Sequence, residues 1–252
     1  MDELVPWIGE LLSMTLYLAV GVKLWNLSKR TGESAERILG IAILCWGGSY
    51  VVYNIPYLLL AGDERIVPTI TLLSFIVADL GNFAFAMFTW VVFRRNESWA
   101  LGFMVFIATA IVVGWVGSVA MGDFEFLGAN GSPFHWIRLV GASLTSVWMA
   151  CEATQQYAAA RRRRKLGLCD PLTCNRYLLW ASAASLWITM DLATTAYLLV
   201  DGEAGIRMVF SSLLELESFF GTGGALLVGL AFFPPASYER WLRRDRTAEA
   251  TS

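Results

Sequence analysis

Along this chain, long apolar runs alternate with short polar breaks. Seven runs reach the roughly 20 residues a helix needs to cross the hydrocarbon core of a bilayer. They cover residues 5–27, 38–60, 66–93, 99–121, 134–160, 177–200 and 206–233. Turn formers separate them: Gly62-Asp63-Glu64-Arg65, Gly122-Asp123, Gly128 to Pro133, and Asp201-Gly202-Glu203. Connections this short join antiparallel neighbours in helical bundles. A transmembrane barrel would need short alternating segments instead. The expectation is an all-α, polytopic membrane protein, a seven-transmembrane-helix bundle over residues 1–233. Residues 234–252 form a short tail. There Tyr238, Trp241 and Leu242 fall on one side of a short helix, and Glu239, Arg243 and Asp245 on the other. This pattern suits an amphipathic helix lying in the membrane interface, and equally a frayed end.

Charge gives the expected orientation. Alternate connections hold Lys23, Lys29, Arg30, Arg37, Arg94, Arg95, Arg161 to Arg164, Lys165, Arg176, Arg240, Arg243, Arg244 and Arg246, which is 16 of the 19 basic residues. The other side holds Arg65, Arg138 and Arg207 beside eight carboxylates, Asp2, Glu3, Asp63, Glu64, Asp123, Glu125, Asp201 and Glu203. Basic loops stay in the cytoplasm, so the N-terminus is expected outside and the C-terminus inside. The location is then a plasma membrane or a bacterial inner membrane. No Lys, Arg or small-residue cleavage pattern marks the first run as a signal peptide, so it reads as a retained helix. The longest cytoplasmic segment, from Arg161 to Arg176, is first a topology signal and second a docking site for a protein partner.

Composition narrows the class. Of 252 residues, 56% are hydrophobic and 16% charged, against about 25% charged in a soluble domain. A disordered chain, a nucleic-acid-binding basic domain and a disulfide-stapled scaffold are excluded. One His and four scattered Cys support no metal site. No nucleophile elbow, P-loop or dinucleotide fingerprint is present, so no catalytic residue is assigned.

Ionisable groups inside the spans are costly and mark function by default. Six carboxylates qualify, Glu10, Asp79, Glu152, Asp191, Glu215 and Glu217, with Arg138 and His135 near the outer end of span five. Asp79 lies about 13 residues into its span, roughly 20 Å deep at 1.5 Å per residue. Helical spacing gathers polar and aromatic stripes: Trp46, Tyr50, Tyr53, Asn54 and Tyr57; Phe75, Asp79 and Asn82; Arg138, Thr145, Met149, Glu152 and Gln156; Trp180, Trp187, Asp191, Thr194 and Thr195; Ser211, Glu215, Ser218 and Thr222. Lipid cannot satisfy such stripes, so they must face one another. Two readings of the carboxyls stand side by side. They are protonated interhelical hydrogen-bonding groups, or they form a site for a cation, an amine or a proton.

The topology and length resemble those of the rhodopsins. The run Glu215-x-x-x-Phe219-Phe220-Gly221-Thr222-Gly223 is similar to the retinal-bearing segment of microbial rhodopsins. That family carries a Lys where Phe219 stands, and the lysines here, Lys23, Lys29 and Lys165, sit at the basic edge. The sequence therefore excludes a retinal Schiff base, and no cofactor is expected. The small seven-helix sugar transporters share the topology, but no internal repeat is evident here. No family is assigned.

The resulting expectation is a receptor-like or sensor-like bundle in the lipid bilayer. A small polar or cationic ligand would enter from outside and meet Tyr50, Tyr53, Asn54, Asp79, Asn82, Arg138, Trp187, Asp191 and Glu215. Glu152 and Glu217 would serve as a proton or cation relay in the alternative reading, a coupled transporter. A further alternative is a non-catalytic subunit of a membrane complex.

Overall fold

A computed structural model of the chain describes residues 4–59, 67–121, 132–199 and 219–249. The described residues form eight helices: α1 (Leu4–Thr31), α2 (Ser34–Leu59), α3 (Val67–Phe93), α4 (Ser98–Ala120), α5 (Pro133–Lys165), α6 (Pro171–Leu199), α7 (Phe219–Phe232) and α8 (Ala236–Glu249). The first six expected spans coincide with α1 to α6, and α7 covers the described part of the seventh, whose residues 206–218 lie outside the described residues. The breaks at 62–65, 122–123 and 201–203, and the positions Glu215 and Glu217, lie outside the described residues.

Local chemistry sets the helix ends. α1 stops at Gly32, whose φ of 76° suits a residue without a β-carbon. Its N–H donates to the Ser28 carbonyl at 2.9 Å, a left-handed cap. α5 stops at Gly167, with φ 72°. There the Gly167 N–H reaches Arg164 O and the Leu168 N–H reaches Arg163 O, both at 2.9 Å, the paired bonds of a Schellman cap. The segment 161–176, expected as a cytoplasmic loop, is thus mostly helix. α5 carries Arg161 to Lys165, α6 opens at Pro171, and only 166–170 connect them. Basic side chains in a last turn complement the carbonyl end of the helix, and proline suits a first turn.

Four helical stretches are long and apolar enough to cross a membrane: Ile8–Thr31, Ser34–Tyr57, Thr69–Phe93 and Ser98–Ala120. A fifth arises if α7 and α8 are counted together across a 72° bend. α5 and α6 have the length, with 33 and 29 residues. They are less apolar because they carry the interior polar groups described below.

Small residues bring the helices together. Gly47 of α2 meets Leu18 of α1, and Gly81 of α3 receives the Trp46 ring of α2. A β-carbon on Gly114 of α4 would stand 2.5 Å from that of Arg138, and Gly117 lies directly against the Phe134 ring. α7 packs through Ser13–Thr222, 2.6 Å between hydroxyls, and through Gly224, which faces the Trp187 indole.

The ends rich in Lys and Arg meet at one end of the bundle. There Lys23 Nζ lies 5.4 Å from the Phe233 ring, Phe93 and Tyr177 stand 6.4 Å apart, and Asn175 donates to Tyr238 at 3.0 Å. This is called the basic end below.

Candidate functional site

The deepest polar feature is built on four helices. Asp79 of α3 and Arg138 of α5 form an ion pair, Nη1 to Oδ2 2.7 Å, with each side chain only 5% exposed. The same Oδ2 accepts the Trp115 indole N–H of α4 at 2.8 Å. Oδ1 accepts the Asn82 amide at 3.1 Å. Asn82 in turn accepts the Trp46 N–H of α2 at 3.1 Å. The Arg138 guanidinium lies 4.8 Å from the Phe75 ring and 5.2 Å from that of Trp115, so aromatic faces also stabilise its charge. A buried carboxylate with a cation and two neutral donors is satisfied as an anion.

Around this network, toward the end opposite the basic one, lie polar atoms that the helices do not satisfy. The hydroxyls of Thr71, Ser118 and Thr145, and Oδ2 of Asp191, are buried without a hydrogen-bond partner among the described residues. Asn54 is 1% exposed and Thr145 fully buried. Asp191 of α6 bonds the Ser143 and Ser146 hydroxyls of α5. Glu10 of α1, 8% exposed, has the Asn54 side chain as its hydrogen-bonding neighbour. Native proteins pair nearly all buried polar groups with protein or water. The unpaired atoms lie on four helices, α3 to α6, and leave their hydrogen-bonding capacity open among the described residues. Trp90, toward the basic end, also has an unpaired indole nitrogen.

Below this region the interior is aromatic. Trp46 meets Trp187 at 4.8 Å and Phe85 at 4.9 Å between ring centres. Phe85 meets Trp187 at 5.3 Å and Phe88 at 6.2 Å, and Trp180 stacks on Phe88 at 5.5 Å and meets Phe232 edge-on at 5.7 Å. Tyr17 accepts the Trp187 N–H at 3.0 Å and stacks on Tyr50. These rings fill the centre and the half of the bundle toward the basic end.

The sequence-predicted residues divide accordingly. Asp79, Asn82 and Arg138 join one network. Asn54 neighbours Glu10, and Oδ2 of Asp191 belongs to the unsatisfied set. Tyr50 and Trp187 line the upper face of the aromatic layer. Tyr53 stacks on Tyr57 at 5.7 Å. Glu215 and Glu217 lie outside the described residues.

Glu152 stands apart at the basic end. Arg94 Nε donates to both of its oxygens at 2.9 and 3.0 Å, and the Trp148 N–H reaches it at 3.3 Å. The same guanidinium holds Glu97 at 2.8 Å and Gln155 at 3.0 Å. The polar neighbour that completes this clamp is thus Gln155 rather than Gln156. Hydrogen bonding to Glu152, then to Glu97, raises the Arg94 pKa. Arg94, then the Trp99 N–H, holds the Glu97 carboxyl below its ordinary range.

Sequence reasoning missed Trp115, Thr71, Ser143 and Ser146. Trp115 carried a readable signal, since an indole N–H deep in an apolar span requires an acceptor. The hydroxyls carried none, because Ser and Thr in a span commonly bond their own helix, as Thr89 does to Phe85 O at 3.0 Å.

Among the described residues, no group of three or more His, Cys, Asp or Glu could hold a metal ion. Comparison with protein-family models, with curated proteins and with solved structures finds no match.

Proposed function

We propose that this chain is an integral membrane, receptor-like protein of seven spans, taking a small polar or cationic ligand from the acidic side. One observation carries the reading. Thr71, Thr145 and Asp191 atoms without a partner among the described residues lie buried on α3, α5 and α6, two of which carry the Asp79–Arg138 pair, while aromatic rings fill the interior toward the basic end. A blind polar chamber suits binding and switching between helix arrangements. A transporter needs a route through both halves. Because Arg138 already neutralises Asp79, recognition falls to Asn54, the hydroxyls and Asp191. The N-outside orientation, the cytoplasmic tail and a partner at the segment 161–176 belong to this proposal, resting on the basic and acidic ends.

The test uses full-length protein in nanodiscs against a panel of amines, polyols and amino acids, read by thermal shift. A ligand at 100 times its Kd stabilises by about 2.7 kcal/mol. Thr71→Val removes a buried hydroxyl that has no partner among the described residues, so the unliganded protein should be as stable as wild type or more so, while the ligand's shift is lost. Proton- or cation-coupled flux of any panel compound in liposomes overturns the receptor reading in favour of a transporter.

A further inference from the structure

We infer that α8 and the basic ends of α6 and α7 form a binding site for the phosphate headgroup of an anionic phospholipid. The inference needs only that α7 spans a bilayer, and it is independent of the ligand chamber.

The geometry begins at Pro234-Pro235, where the chain turns by 72° from α7 into α8. If α7 crosses a membrane, α8 then lies close to the membrane plane. Its first turns are anchored on the inner side. Leu242 is 6% exposed, and the Tyr238 hydroxyl pairs with Asn175 of α6. Its outer side presents Trp241, 57% exposed and stacked on Tyr238 at 5.8 Å, with Arg240 and Arg243 both exposed. An exposed indole between arginines suits the headgroup layer, where Trp is enriched and basic side chains meet anionic lipid.

Between α6, α7 and α8 lies a cavity of about 130 Å³. Leu179 and Phe232 give it an apolar wall, and Asn175, Arg176, Tyr238 and Glu239 give it a polar one. Arg176 is fixed at this site. Its Nε donates to the Ala231 carbonyl at 2.9 Å, and its guanidinium lies 5.7 Å from the Phe232 ring. Both terminal nitrogens make no hydrogen bond among the described residues. An arginine held by its inner nitrogen, with its fork open, is preorganised for an oxyanion. Glu239, in the first turn of α8, also lines the cavity and opposes an anion there, so the open fork of Arg176 and the flanking Arg240 and Arg243 must outweigh it. An acyl chain would meet the apolar wall of Leu179 and Phe232, while a soluble anion would use none of that surface.

The experiment places full-length protein in nanodiscs of phosphatidylcholine alone, or with one-fifth phosphatidylglycerol. Thermal midpoint and native mass spectrometry of retained lipid are measured. Phosphatidylglycerol should raise the midpoint and remain bound through detergent exchange. Arg240→Gln/Arg243→Gln, which touches no helix cap, should release it with unchanged helicity. Arg176→Gln should do so as well. Equal behaviour in both lipids, or full retention by the Arg240/Arg243 variant, overturns the inference. So does an equal midpoint rise from millimolar inorganic phosphate in phosphatidylcholine discs, which would assign a soluble anion instead.

Discussion

Asp79 and Arg138 illustrate how a residue's neighbours decide what its charge can do. In lipid-embedded helices a lone carboxylate is expensive. Here the guanidinium, the Trp115 N–H and the Asn82 amide share the burden. Removing one partner leaves the other buried and uncompensated, at a cost of about 3–5 kcal/mol. Asp79→Asn should therefore lower the thermal midpoint sharply. Asp79→Leu combined with Arg138→Met should recover most of the loss, because replacing a whole buried pair by apolar groups is often neutral. A double variant as unstable as the single one would show that Trp115 and Asn82, rather than Arg138, hold the site together. Asp79 and Arg138 were both legible as intramembrane ionisable groups. Their pairing was not, since 59 residues separate them and periodicity within each helix says nothing about the facing helix.

Helix contacts reward the small residues in the same way. Gly114 and Gly117 let α4 approach the α5 backbone, and Gly114→Ala forces its new methyl against Arg138 Cα and Cβ. Overpacking of this kind costs about 1–3 kcal/mol, readable as a lower midpoint without loss of helicity by circular dichroism. The α3–α4 corner is a different kind of joint, held by Arg94. Glu97's carboxyl is depressed below 4.5 by Arg94. Its contribution is therefore complete above that value and disappears as the pH falls through the depressed one. Midpoints of wild type and Glu97→Gln should differ at neutral pH and converge in acid; a constant gap would sink the assignment. The close approach of α4 has a local signature, small residues at Ala110, Gly114 and Gly117 along one apolar helix. The clamp was not, because its members come from α3, the corner and α5.

For the molecule as a whole, the gathering of basic residues at one end predicts an accessible side under the proposed orientation. Cys169 lies in the connection 166–170 and is partly exposed, whereas Cys174 is buried. Burial, then the nearby Cys169, pushes the Cys174 thiol upward, which slows its reaction further. A membrane-impermeant maleimide, used on a Cys151→Ser background, should label Cys169 in inverted vesicles and leave intact cells unlabelled. Labelling from the outside would reverse the proposed orientation.

Hydropathy and charge along the chain were sufficient to determine that it is helical, where most of its apolar helices run, and that most of its basic residues belong to one set of connections. These properties depend on local periodicity and on loop sign, which a single sequence contains in full. Which polar stripe meets which, that Arg138 answers Asp79, that Arg94 answers Glu152, and that aromatic rings rather than carboxylates occupy the centre were decided only in three dimensions. The reason is physical. Each helix specifies the face it presents, but the partner of that face is set by the relative rotation and depth of helices that glycine contacts and buried hydrogen bonds select together.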